Sequence, residues 1–430
     1  MQPLRIAVAG LGTVGAGVVK LLHDQADILT ARAGRPLKVV AVGARSKKKK
    51  RKIPLGRARW ESDVLNLATA ADVDVVVEVI GGSEGAASDL VHAALSAGKH
   101  VVTANKALLA HHGADLARRA ERAGVALAFE AAVAGGIPVL KALREGLAGN
   151  RFSRVYGILN GTCNYILSEM RATGRAFGDV LAEAQAHGYA EADPSFDIDG
   201  VDAAHKLAVL AGVAFNCVVN FKAVHVEGIR HVSAADIAFA GELGFRIKLL
   251  ALASLGPNGL EQRVHPCLVP IDTPIAHVDG VFNAVVSEGD FVGRNVFEGR
   301  GAGAGPTASA VVADLVDIAA GRIAPPFGVP ANALVKLPAA PMRDHVGRYY
   351  IRLHVQDRPG VIADLTAILR DEKISIESML QHGRAKGDEG VPVVLVSHEA
   401  REASMSHALS RIGRLRAVIE SPRMIRIEAL

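Results

Sequence analysis

Five carboxylates and one lysine crowd into the stretch 188–206, GYAEADPSFDIDGVDAAHK, of a hydrophobic chain. Glu191, Asp193, Asp197, Asp199 and Asp202 repel one another unless a cation, an ammonium-bearing ligand or a lysine stands among them. From Gly200 the pattern VDAAHKLAVLA predicts a helix, which puts Asp202 and Lys206 on one face, one turn apart. Carboxylates in that setting can hold the amino group of a small zwitterion, while a partly desolvated lysine passes a proton to or from a substrate oxygen. The same residues also fit a solvated acidic loop that caps an amphipathic helix with an ordinary ion pair.

The elements that would position such a site begin at the N-terminus. RIAVAGLGTVGAGVVKLL reads as an apolar strand, a glycine turn and an apolar helix. Gly10, Gly12 and Gly15 hold G-x-G-x-x-G spacing, with Leu11 between the first two. Gly10 permits the tight turn, Gly12 lets the backbone approach a pyrophosphate, and Gly15 lets the helix pack on the strand, so the helix start can receive negative charge. This context predicts a Rossmann-like dinucleotide site; a bare strand-to-helix turn is the alternative.

The second strand, LKVVAVGARS, bears on the coenzyme. Where an NAD site places a carboxylate for the ribose hydroxyls, this strand ends in Gly43-Ala44-Arg45-Ser46 and runs into Lys47–Lys52. Arg45 and Lys47 suit a 2′-phosphate, so NADP(H) is expected over NAD(H), and the rest of the run reads as a solvated loop. Without the seven cations of residues 45–52, the net charge of +5 becomes about −2, so the basicity is one local run rather than a nucleic-acid-binding face.

At 430 residues, half of them hydrophobic, the chain can form two or three domains with real cores. No apolar run approaches the roughly twenty residues needed to cross a bilayer, and the first strand starts too early for a signal peptide. Cys163, Cys217 and Cys267 are odd in number and lack metal-like spacing, which fits packing roles in a reduced, cytoplasmic compartment.

Beyond the basic run, VDVVVEVIGG at 73–82 and KHVVTANK at 99–106 read as strands separated by a helix, the pattern of a doubly wound sheet. VALAFEAAVAGGIPVLKAL at 125–143 predicts a strand, a Gly-rich bend and a helix at the exit from the nucleotide domain. Residues 136–305 suit an α+β domain for substrate and subunit contacts, and a glycine loop near 301 leads into a helix at about 306–321 that returns to the nucleotide domain. The Pro-rich tract within 322–347 reads as a linker. After it, residues 348–430 follow a ferredoxin-like βαββαβ order. The DRPGVIADL turn, Asp357 to Leu365, offers backbone amides to a small amino acid; a module serving subunit contacts alone fits equally well.

Seven motifs in order resemble the homoserine dehydrogenases that carry a C-terminal ACT domain: GLGTVGAGVV at 10–19, VVEVIGG at 76–82, VTANKALLA at 102–110, FEAAVAGGIPV at 129–139, ILNGTCNYIL at 158–167, the acidic segment through Leu207, and GAGAGPTASAVVADL at 301–315. The resemblance spans essentially the full length. It implies interconversion of L-aspartate 4-semialdehyde and L-homoserine with NAD(P)H, within threonine, methionine and isoleucine biosynthesis. By the same resemblance Lys206 is the catalytic lysine and Lys106 a second lysine close to coenzyme and substrate. Glu191 and Asp202 match substrate ligands, Asp197 a supporting carboxylate, and Gly161 with Thr162 lies near the reacting end. Thr13, Val14, Lys106, Gly188 and Gly303 match coenzyme contacts. Glu130, Val133, Gly135 and Ile137 match a site that binds sodium mostly through backbone carbonyls. The resemblance also implies residues 1–135 as the NAD(P)-binding domain, 348–430 as the ACT domain, L-threonine as its effector, and a homodimer or homotetramer.

Two features depart from the family pattern. The Lys47–Lys52 run is more basic than expected, so NADP(H) could be held tightly enough to inhibit, and Ala132 stands where a serine or threonine is frequent, with no functional change expected. Other classes fit less well. A hydroxyacid dehydrogenase needs an Arg-Glu-His set that is not evident, an aldehyde dehydrogenase needs a base beside Cys163, and a non-enzymatic amino-acid sensor leaves Lys206 without a task.

Overall fold

The computed structural model describes residues 1–47, 51, 53–382 and 390–430, so Lys48, Lys49, Lys50 and Lys52 of the basic run lie outside the described residues. Six strands, β1 (Leu4–Ala9), β2 (Leu37–Gly43), β3 (Arg59–Glu61), β4 (Val75–Glu78), β5 (His100–Thr103) and β6 (Leu127–Ala128), form a parallel sheet in the order 3-2-1-4-5-6. Strand β1 is nearly and β4 fully buried, as in a sheet covered on both faces, and the order reverses between them, where open α/β sheets bind ligands.

The glycine turn lies at that reversal. A side chain on Gly15 would overlap the Gly10 carbonyl oxygen, so only glycine lets the Thr13–Asp24 helix start this close to β1. A Cβ on Gly12 would meet nothing within 4 Å, leaving its backbone open to a ligand. The helix Ala304–Ala319 packs back on the Thr13–Asp24 helix, and a side chain at Gly17 would strike the Ala304 backbone.

A second sheet holds the rest of the chain together. Its strands are β7 (Phe152–Ile158), β8 (His225–Val226), β9 (Phe245–Gly256), β10 (Gly259–Pro270), β11 (Phe282–Gly289), β12 (Gly293–Arg300), β13 (Val346–Val355), β14 (Ile376–Gln381), β15 (Val391–Ser397), β16 (Ala400–Arg401) and β17 (Arg423–Ile427). The main path runs 12-11-7-9-10-17-13-15-14. The C-terminal strands take the ferredoxin-like order 17-13-15-14, with the helices Val361–Asp371 and Glu402–Ile412 covering one face. That module is joined to the body by β17, which pairs in parallel with β10 through Cys267–Arg426 and Leu268–Ile427.

The Pro-rich tract is strapped down along its length. Val218 N donates to Val335 O at 3.0 Å, Leu260 N to Pro338 O at 2.9 Å, and buried Phe327 packs its ring against Phe129. Proline supplies extended geometry here, and strand β10 with the segment after the Val201–Ala214 helix provides the hydrogen bonds that hold it.

Candidate active site

Three segments bring the candidate catalytic groups together. Strand β7 delivers Asn160, which caps the Gly161–Thr173 helix by accepting from Cys163 N at 2.8 Å. Left-handed Gly200 starts the Val201–Ala214 helix, placing Asp202 in its first turn and Lys206 one turn on. Lys106 is the first residue of the Lys106–Ala123 helix, whose cap Asn105 accepts from Leu108 N at 3.0 Å and donates to Gly82 O at 2.7 Å. Buried Glu78 braces this corner by accepting from Ile80 N, Gly81 N and the Thr103 hydroxyl at 2.8, 3.0 and 2.6 Å.

Asp202 is the hub. Its Oδ2 lies 2.7 Å from Lys206 Nζ and its Oδ1 3.1 Å from Lys106 Nζ. Asn160 Nδ2 donates to Asp202 Oδ2 at 2.9 Å and to Asp197 Oδ1 at 2.8 Å, so one amide spans both carboxylates. Lys206 Nζ also donates to Leu159 O at 2.8 Å, and the Thr162 hydroxyl reaches Tyr189 O at 2.8 Å and Asp197 Oδ2 at 3.3 Å. Burial opposes ionisation of Asp202, but the Lys206 and Lys106 ammoniums outweigh it and hold the carboxyl well below the usual range. Asp197 moves the opposite way, pushed up by burial and the adjacent Asp202 charge. A cation at the start of a helix is disfavoured by the helix dipole, so Asp202 also offsets the placement of Lys106.

These groups line a cavity of about 450 Å³ that also touches Gly161, Gly188, Asn283 and the Arg300–Gly303 segment. Among the sequence-derived residues, it brings together Lys106, Lys206, Asp202, Asp197, Gly161, Thr162, Gly188 and Gly303. Glu191 stands apart: it is exposed, and its backbone carbonyl accepts from Gln185 Nε2 at 3.0 Å. Gly10, Leu11, Gly12, Thr13, Val14 and Gly15 form the turn beyond β1, with the Leu11 carbonyl accepting from Arg51 Nε at 3.0 Å. Arg45 and Lys47 are exposed just beyond the end of β2. Cys163 is fully buried and its thiol is pushed well above its ordinary value by burial and Asp197, which removes it as a nucleophile.

Sequence reasoning missed Asn160, Asn105, Glu78 and Asn283. For the first two a signal existed, since Asn before a helical run is a cap. Nothing in the sequence pairs Glu78 with Thr103 or brings Asn283 to the cavity.

The bend after β6 meets the chemical demands of a hard cation. The carbonyls of Val133 and Gly135 are buried, and neither accepts a hydrogen bond among the described residues, an arrangement that is costly without a cation or donor. Ile137 O accepts from Val139 N at 2.8 Å. The Glu130 carboxylate accepts from Leu140 N and Lys141 N at 2.9 and 2.8 Å, while burial and Asp314 push it up to about 7. Gly136 N donates to Arg300 O at 3.0 Å, tying the bend to the cavity wall.

Family models match three parts of the chain: the homoserine dehydrogenase NAD binding domain over residues 10–130, homoserine dehydrogenase over 138–316, and the ACT domain over 349–417. Homoserine dehydrogenases of Pseudomonas aeruginosa and Neisseria gonorrhoeae are each 45% identical, over the full length of both chains. A solved homoserine dehydrogenase from Thiobacillus denitrificans aligns with a TM-score of 0.94 at 45% identity, covering 99% of this chain and 98% of that one. A hyperthermophilic archaeal homoserine dehydrogenase in complex with NADPH aligns with a TM-score of 0.63 at 27% identity, covering 74% of this chain and 97% of that one. On this fold, with these matches in this order, the chain belongs to the homoserine dehydrogenases, NAD(P)-dependent oxidoreductases, and carries an ACT domain.

Proposed function

We propose that L-aspartate 4-semialdehyde and L-homoserine are interconverted in the cavity around Asp202, in the biosynthesis of threonine, methionine and isoleucine. The observation that carries this reading is one buried carboxylate held between two lysines on the cavity wall. When bound, the coenzyme supplies the hydride that reduces the aldehyde carbon. Lys206 hands a proton to the carbonyl oxygen as charge builds there, and Lys106 stabilises that charge. Asp202 keeps both ammoniums aimed at one point. Asp197 supports the amino-acid end of the substrate, and Thr162 with Gly161 lies near its reacting end. Glu191 joins Asp197 as a ligand of the substrate ammonium, which requires segment 188–193 to fold toward the cavity.

Arg45 and Lys47 receive the 2′-phosphate, so NADP(H) is preferred, and sodium sits among Glu130, Val133, Gly135 and Ile137. Oxygen-only ligands and unpaired buried carbonyls support sodium, and exposed cations beyond β2 support NADP(H). The turn at Asp357–Leu365 takes an amino-acid effector, L-threonine by this reading, and the edge strands β12 and β14, with Val296 and Met379 exposed, suit a homodimer or homotetramer.

Initial rates of L-homoserine oxidation with NAD⁺ and NADP⁺ in parallel, with and without sodium and L-threonine, test the reading. Turnover that requires sodium and falls with L-threonine is expected. Neutralising Arg45 and Lys47 together should weaken NADP(H) more than NAD(H); equal losses would remove their phosphate role. Absence of turnover with either coenzyme in folded, sodium-replete protein would overturn the reading.

A further inference from the structure

Asn283, on β11, stands in the wall of the same cavity with its chemistry unused. It is 1% exposed, and its carboxamide makes no hydrogen bond among the described residues, Oδ1 being wholly buried. A buried amide left unpaired is destabilising, and its neighbours are treated differently. Asn164 donates from one nitrogen to the carbonyls of Val278, Gly280 and Phe282 at 3.0, 3.0 and 3.1 Å and accepts from Lys248 Nζ at 3.2 Å. That clamp fixes the loop leading into Asn283, so the side chain cannot swing out to water.

The chain also keeps space around this amide. A side chain on Gly301 would fall on the Asn283 carboxamide, and a Cβ on Gly161 would approach Oδ1 at 3.5 Å. Asn283 therefore stands between the segment assigned to the reacting end of the substrate, Gly161–Thr162, and the segment before the returning helix, Gly301–Gly303.

We propose that Asn283 is the ligand of the nicotinamide carboxamide and fixes which way the ring lies against the substrate. The proposal rests on the homoserine dehydrogenase reading of the cavity. The substrate finds its partners elsewhere in it, the carbonyl oxygen at Lys206 and Lys106 and the ammonium at Asp197 with Glu191. The reacting ring carries an uncharged primary amide, which suits a carboxamide in the wall of the cavity where hydride transfer takes place. A primary amide both donates and accepts, so it can answer the nitrogen and the oxygen of the Asn283 carboxamide together, whereas a methyl ketone can answer the nitrogen alone.

Calorimetric dissociation constants for NADPH and for its 3-acetylpyridine analogue, in which a methyl ketone replaces the amide, test this in wild type and Asn283→Leu, alongside homoserine turnover. Wild type should bind NADPH roughly threefold to tenfold tighter than the analogue, the worth of about one hydrogen bond, and the variant should lose that preference. Equal affinities in wild type would overturn the proposal even if the variant failed to fold. So would a variant that keeps the preference, including one whose only defect is a raised KM for homoserine, since the amide would then serve the substrate. Wild type without turnover would remove the reading of the cavity itself, whereas turnover without amide preference would remove only the role of Asn283.

Discussion

Asp202 would be untenable alone, buried in the first turn of its helix, and its two lysines would be mutually repulsive without it. The three form one unit whose polarity is set before any substrate arrives. Lys206→Ala removes the proton carrier and leaves Asp202 with Lys106. Turnover should fall by roughly 10²- to 10⁴-fold, while coenzyme affinity measured by fluorescence titration stays unchanged. Near-normal turnover would remove the proton-transfer role. Asn160 is a positioning residue because it bridges Asp197 and Asp202 while capping a helix. Asn160→Leu removes the amide the two carboxylates share, leaving Asp202 with its lysines and Asp197 with the Thr162 hydroxyl. Its KM for homoserine should rise, with a loss of about 1–3 kcal/mol in denaturant-measured stability, and a variant equal to wild type in both would refute the bridge.

The Gly161–Thr173 helix has a buried polar anchor. Lys248, 1% exposed on β9, donates to Asn164, to Val278 O and to Asp279 Oδ1 at 3.2, 2.5 and 2.9 Å, fastening that helix to the loop before β11. Burial lowers this lysine to about 8 against an ordinary value of 10.5, although Asp279 pulls it back up. The folded protein therefore binds fewer protons here than the unfolded chain between those two values, so this group makes stability rise as pH increases from about 8 toward 10.5. Urea midpoints of wild type and Lys248→Met across pH 7 to 10 check the sign. Wild type should gain on the variant as pH increases, and parallel curves would show that Lys248 does not titrate in that window.

Across the whole molecule, the ACT module shares a sheet with the catalytic body, and a buried arginine crosses the seam. Arg426 on β17, 2% exposed, reaches Glu227 of the body at 2.9 Å through two nitrogens and Glu402 of the module at 3.0 Å. Glu227 precedes Gly228 and Ile229, and Ile229 N donates to Ile198 O at 2.8 Å, next to the Asp197–Asp202 turn. Burial works against charge on Glu227, but hydrogen bonds from His225 and Arg426 hold it well below the carboxylate range. Arg426→Met would strand the buried Glu402 carboxylate and take from the part-exposed Glu227 its bidentate partner. Unfolding free energy should drop by about 3–5 kcal/mol, with the module separating from the body as an earlier transition; an unchanged, single transition would show that the seam is not held there.

The sequence by itself determined what depends on neighbours along the chain. Gly10, Gly12 and Gly15 follow an apolar strand, Asp202 and Lys206 lie one helical turn apart, and residues 348–430 alternate strand and helix in ferredoxin-like order; each is a local pattern that the backbone obeys. Ordered motifs then named the family. Tertiary structure alone decided the contacts that join distant segments: Lys106 meets Asp202 across 96 positions because two helices begin at the same cavity. Asn160 spans two carboxylates, Asn283 enters the cavity wall, and β17 closes onto β10. No periodicity encodes those meetings, because they follow from how helices and sheets pack once their apolar faces are buried.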